Sequence, residues 1–217
     1  MVFVMWAIWH SRNQVTYHDD QLDPFVLVQR IKEDLVVLDI PLSHASVLPG
    51  HGWTPPEIGL VKIHTNVAVS MNSDKVGAGG VARSSTALLG AWSKPHVGVT
   101  DPFFGETLAL HDGVIFANLR GFSHVVMEAD CLEIANLWKH RHNSLSVVAP
   151  ILLEIEELAS SFVSFHVQHV IRSANVPAHV CAKHACTLLV TESWTDSRPS
   201  FLLTSLLADD PRSTFVE

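Results

Sequence analysis

Between residues 61 and 68 apolar and polar side chains alternate. Val61, Ile63, Thr65 and Val67 fall on one side, Lys62, His64, Asn66 and Ala68 on the other, which is the period of a β-strand. The turn signal Asn72-Ser73-Asp74 follows, and Val76–Ala82 (VGAGGVA) and Leu88–Trp92 read as two more strands. Short connections make the three an antiparallel meander. Glycine inside the second strand predicts close backbone approach by a neighbour or ligand.

The period changes at Asp101-Pro102, a helix start, and the helix ends near Gly121. Glu106, Leu110, Gly113, Val114 and Ala117 share one of its faces, so a carboxylate sits on a stripe that is otherwise core-facing. Val125–Ala129 reads as a short buried strand. Asp130 and Glu133 form a capping-box pattern for a helix to about His140. Val148, Ile151, Leu152, Ile155 and Leu158 mark a further helix, and Val163, Phe165 and Val167 a strand. Asn175 and Pro177 open a last helix with an apolar face of Ala178, Cys181, Ala182, Ala185 and Leu188. Three hairpin strands followed by alternating helices and strands predict an α/β domain: a mixed five-stranded sheet, three antiparallel strands then two parallel, flanked by helices.

That domain is expected over residues 55–190. Residues 1–50 read as a helical flank and linker: Asp23-Pro24 starts a helix carrying Phe25, Val28, Ile31, Leu35 and Leu38, and Pro41–Pro56 is rich in breakers. Residues 191–217 read as a tail. The apolar opening run Met1–Trp9 is far short of the roughly 20 residues a membrane span requires and lacks the marks of a secretory signal.

Composition narrows the function. With 14 basic against 22 acidic residues, the net charge of −8 excludes a protein that grips nucleic acid by global charge, though not one with a local groove. Cys131, Cys181 and Cys186 form no CxxC pair and read as reduced thiols of an intracellular, non-secreted protein. The 14 histidines are scattered and set no structural zinc site.

Five segments in this order, WTPPEIGLVKIHTNVAV, VGAGGVARSS, GETLAL, VVMEADCLEIAN and HVIRSANVPAHVCAKHA, resemble the ribonuclease H-like superfamily, and more narrowly the plant retroelement-derived domains that accompany reverse transcriptases. They cover about 130 residues; WAIWHSRN and the stretch around Trp194 and Pro199 are similar to the family's flanks. The resemblance implies hydrolysis of the RNA strand of an RNA–DNA hybrid, with Mg²⁺ or Mn²⁺ as cofactor and hybrid or other nucleic acid as partner. Two ions about 4 Å apart clamp the scissile phosphate, held chiefly by carboxylates.

The family's four metal positions map onto Asn66, Glu106, Asp130 and His179. Asn66 stands where the family has an aspartate bridging both ions; its amide oxygen is a neutral ligand, and its other reading is a polar strand residue facing solvent. Glu106 is a ligand or an acid favoured by the helix dipole. Asp130 is a ligand, an N-cap or both, whereas nearby Glu128 reads as structural or supporting. His179 suits magnesium poorly and reads as a general base or an exposed helix histidine. Arg172 and Asn175 resemble a substrate-side loop contacting phosphate or sugar, with Asn175 as N-cap the alternative; Arg83 is a further phosphate candidate. Only Glu106 and Asp130 bring charge, about −2 against the +4 of two Mg²⁺. The metal is thus expected to be weakly held and activity weak or lost, leaving a non-catalytic nucleic-acid-binding or protein-interaction module as the alternative.

Overall fold

A computed structural model describes residues 52–70 and 74–209, all within one compact unit, Leu48–Glu217. The helical segments expected before residue 41 and most of the linker lie outside the described residues.

The expected meander is present as β1 (Val61–Val69), β2 (Lys75–Arg83) and β3 (Leu88–Val97). Then come α1 (Pro102–Leu119), β4 (His124–Ala129), α2 (Leu132–Lys139), α3 (Ala149–Ala159), β5 (Ser164–His169) and α4 (Val176–Leu188). Beyond the expected domain lie a sixth strand, β6 (Glu192–Trp194), and α5 (Ser200–Asp209). The sheet order is β5-β4-β1-β2-β3-β6; β4 runs parallel to β1 and to β5, and the remaining pairs are antiparallel. The sheet therefore has six strands rather than five. Three residues of β6 are too few to show a period in the sequence, and only pairing with β3 defines them.

Each face of the sheet carries a core. Ile63, Val125 and Met127 pack with Leu110, Val114, Ile134, Leu152 and Ile155 from α1, α2 and α3. On the opposite face Val81 and Ala91 meet Cys181 of α4 and Leu202 and Leu206 of α5. The part of the tail that is described thus closes one face of the sheet. Leu202→Ala, at a fully buried position, is expected to destabilise the domain by about 3 kcal/mol in urea unfolding. A change below about 0.5 kcal/mol, the usual range for surface positions, would show that α5 is dispensable.

The α4 face requires glycine. A Cβ on Gly79 would lie 2.2 Å from the Ala182 nitrogen, and one on Gly77 2.2 Å from the Ala182 oxygen. The small residues of α4 and the bare β2 backbone let helix and strand touch directly, so the neighbour that the glycines predict is a helix of the same chain.

Candidate active site

Strand pairing and two loops assemble the site. Thr65 pairs with Ala129 across the parallel β1–β4 ladder, which sets the next residues, Asn66 and Asp130, side by side. The Asn66 amide Nδ2 donates to Asp130 Oδ2 at 3.0 Å. Asn66 is 2 % exposed, so the reading of it as a solvent-facing strand residue does not describe this fold. Asp130 does not form the expected capping box: α2 begins at Leu132, with Cys131 at the N-cap and no side-chain capping bond. The carboxylate turns to Asn66 instead.

Asn175 stands at the N-cap of α4 without a side-chain capping bond. Its amide crosses to β1 and donates to the Thr65 carbonyl at 2.9 Å, and the side chain is fully buried. It pins α4 to β1 and is shielded from direct contact with a phosphate. One helical turn on, His179 Nδ1 lies 3.2 Å from Asn66 Oδ1. A carboxylate only accepts hydrogen bonds, so the Asn66 nitrogen faces Asp130 and its oxygen faces His179. Nδ1 of His179 then carries the proton, leaving Nε2 as the ring's lone-pair nitrogen. Burial, with the charges of Arg172 and Lys183, lowers the His179 pKa to about 4, so the ring is neutral at pH 7.

Glu106 arrives from the opposite face. The Asp101 carboxylate caps α1 by accepting from Phe103 N at 3.0 Å. Glu106, in the second turn, accepts from the Val67 backbone N–H at 3.2 Å through Oε1. Its Oε2 is enclosed and accepts no hydrogen bond. Burial and the neighbouring Asp130 charge push the Glu106 carboxyl well above the ordinary range. Asp130 is also raised by burial, with Arg172 and the Asn66 amide opposing.

Arg172, an exposed residue, begins a 3₁₀ turn, Arg172–Ala174, that follows β5, and its charge opposes the rise at Glu106 and Asp130. Arg83 does not join it. Because β2 runs antiparallel to β1, Arg83 pairs with Lys62 at the start of β1, four residues or about 13 Å from Asn66 along the strand. There its guanidinium is 2.7 Å from Asp209 Oδ2 and stacks over Trp53 at 4.1 Å.

Glu128, read from the sequence as structural or supporting, centres a buried polar group whose other members, Lys62, His64 and Gln168, that reading did not name. Glu128 lies 3.0 Å from Lys62 Nζ and 2.7 Å from His64 Nε2, and accepts from Gln168 Nε2 at 2.7 Å. The signal was the polar row Lys62, His64, Asn66 on β1, whose alternation suggested a solvated face. His64 and Glu128 are in fact 0 % and 2 % exposed.

The donor set does not fit two divalent ions. Among the described residues no group of three or more His, Cys, Asp or Glu is placed to hold a metal. The neutral Asn66 amide presents its N–H to Asp130, and one oxygen of Glu106 is engaged by a backbone N–H. The arrangement has instead one neutral imidazole with an available nitrogen and two repelling carboxyl groups.

A family model described as "Reverse transcriptase-like" matches residues 64–185, a span that includes Asn66, Glu106, Asp130, Arg172, Asn175 and His179. No curated protein matches the chain. Among solved structures, RNase H1 from the halophilic archaeon Halobacterium salinarum NRC-1 is similar at 18 % identity and a TM-score of 0.54, over 59 % of this chain and 98 % of that one. The N-terminal RNase H domain of a Mycobacterium tuberculosis protein, solved as a fusion with maltose-binding protein, aligns at 19 % identity and a TM-score of 0.53, over 59 % of this chain and 94 % of that one. LC11-RNase H1, solved in complex with an RNA/DNA hybrid, aligns at 17 % identity and a TM-score of 0.53, covering 60 % and 99 %. At such identities these likenesses speak for the fold, and no described helix is long and apolar enough to cross a membrane. The family match over more than half of its length, on a mixed sheet with the ribonuclease H-like arrangement, places the chain in the reverse transcriptase-like family.

Proposed function

We propose that this chain is a ribonuclease H-type domain that binds RNA–DNA hybrid at the lip formed by Asn66, Asp130 and His179, with hydrolysis of the RNA strand weak or lost. The observation that carries the reading is the hydrogen-bonded row Asp130–Asn66–His179. It joins Asn66 in the middle of β1, the residue that follows β4 and the first turn of α4 in one polar site, and the segment resemblance assigns to Asn66 the place of a carboxylate shared by two metal ions. Binding is expected to rely on shape and on contacts to phosphate and 2′-hydroxyl groups, with Arg172 the candidate cation for a phosphate. With a net charge of −8, affinity should be modest and fall as salt rises. The segment resemblance and the family match also support descent from a retroelement, with the plant origin resting on the segments alone.

The test is cleavage of a labelled hybrid in Mg²⁺ and in Mn²⁺ by the native chain, Asn66→Asp and Glu106→Ala. The native chain is expected to bind the hybrid in a salt-sensitive way and to cut it little. Asn66→Asp should raise cleavage at least about tenfold, equivalent to 1.4 kcal/mol of barrier. Robust native cleavage that survives Glu106→Ala would overturn both the site and its proposed impairment.

A further inference from the structure

We propose that the cleft between the β2–β3 hairpin and α5 binds a small amphipathic acid, a carboxylate carrying an alkyl chain. The cleft is separate from the nucleic-acid site above. Arg83, in its wall, pairs with Lys62 at the start of β1, about 13 Å along the strand from Asn66.

Both walls are fixed. On one side Ser84 N donates to the Ala87 carbonyl at 2.9 Å. Ser84 Oγ accepts from Thr86 N at 3.3 Å and from Ala87 N at 3.1 Å, so the hairpin tip is locked by its own bonds. On the other side Leu202 and Leu206 root α5 in the core, and Asp209 at its end holds the Arg83 guanidinium at 2.7 Å. The ring of Trp53 lies against the same guanidinium at 4.1 Å.

The lining has an apolar and a cationic part. Leu88, Leu203 and Leu207 belong to the first, and Leu203 and Leu207 are still 43 % and 42 % exposed. They stand four residues, about 6 Å, apart along α5, a length that an alkyl chain of several carbons would cover. The charged residues of the lining are Arg83 and Arg198. Two guanidinium groups against the one carboxylate of Asp209 leave the cleft positive in a chain of net charge −8. That single excess charge matches a monoanion better than a phosphate ester, which carries nearly two.

Trp53 also lines the cleft, and its indole Nε1 is enclosed and donates to no described residue. An indole N–H can only donate, and burying it without an acceptor costs free energy. A carboxylate in the cleft would offer acceptor oxygens to the indole and to a guanidinium alike, with its chain laid on the leucines.

The test is calorimetric titration of the full chain with octanoate, kept below its micellar range. Saturable binding to one site is expected. Octan-1-ol keeps the chain without the charge and should bind about tenfold more weakly; acetate keeps the charge without the chain and should bind at least about tenfold more weakly. Arg198→Gln, at an exposed position, should weaken octanoate binding about tenfold. Trp53→Phe, which keeps a ring beside Arg83 and removes the N–H, should weaken it about threefold. Both variants leave the Arg83–Asp209 pair intact, so the comparison does not depend on a destabilised fold. No uptake of octanoate at millimolar concentration, octan-1-ol or acetate bound as tightly as octanoate, or binding unchanged in both variants would overturn the proposal. Hybrid binding by Arg198→Gln should equal that of the native chain; a parallel loss would assign the cleft to a nucleic-acid path and overturn the proposal as well.

Discussion

Gly79→Ala is expected to remove most of the stability of the domain. The new methyl carbon would lie 2.2 Å from the Ala182 nitrogen, 2.5 Å from the Cys181 carbonyl carbon and 2.6 Å from Cys181 Cβ. These are backbone atoms or atoms fixed to it, so no rotamer change relieves the clash and α4 must lift from β2. Overpacking usually costs 1–3 kcal/mol where side chains can adjust; with a helix displaced, about 4 kcal/mol is expected, a large share of a typical domain's 5–15 kcal/mol. Lifting α4 also parts His179 from Asn66, so a surviving variant should lose hybrid binding as well. The measurement is the urea midpoint, with the melting temperature expected to fall by roughly 10 °C. A loss under about 1 kcal/mol would mean that α4 does not rest on β2 as described.

The second large effect is expected in acid and at Glu128. Burial alone would raise this carboxyl, but His64, Gln168 and Lys62 outweigh it and hold its pKa at about 2. The unfolded chain titrates near the ordinary value of 4.5. A depressed acid contributes its stability above the unfolded pKa and loses it as pH falls through the folded one. The loss should therefore run from about pH 4.5 down to about pH 2. The full gap corresponds to about 3 kcal/mol. Burial keeps His64 itself neutral, so its charge joins the pair only in acid and the share present at pH 7 is smaller. An unfolded chain also protonates histidine near 6.5 while buried His64 resists, which works in the same direction.

Glu128→Gln would leave Lys62, only 14 % exposed, without that partner, and is expected to cost about 3 kcal/mol at pH 7. The variant should also show a shallower decline in stability between pH 4.5 and 2. Equal acid slopes for the native chain and the variant would show that other carboxyl groups govern acid unfolding.

Much of this was legible along the chain. Alternation located β1, a run of glycine and small residues located β2 and announced a close neighbour, and helical spacing located α1, α3 and α4. These features are local: a strand or helix with one buried face must repeat its apolar residues at its own period. Asn66, Glu106, Asp130 and His179 were singled out by the segments that contain them, and the fold brings those four together.

What escaped depends on partners remote in sequence. The polar row of β1 looked solvated until β4 and β5 supplied Glu128 and Gln168, 64 or more residues away from His64. Asp130 looked like a helix cap and Asn175 like a cap or a phosphate contact, because both types bond to whatever backbone or amide lies within reach. Parallel pairing decided that Asp130 would meet Asn66, and the turn between β5 and α4 brought Asn175 to Thr65. Arg83 read as a further phosphate candidate, and antiparallel pairing carried it to the start of β1, away from Asn66. The order and periods of the elements from β1 to α4 thus follow from the amino-acid sequence alone. Which polar groups face one another was settled by strand register, since a polar side chain takes its role from the partner that desolvation leaves within hydrogen-bonding distance.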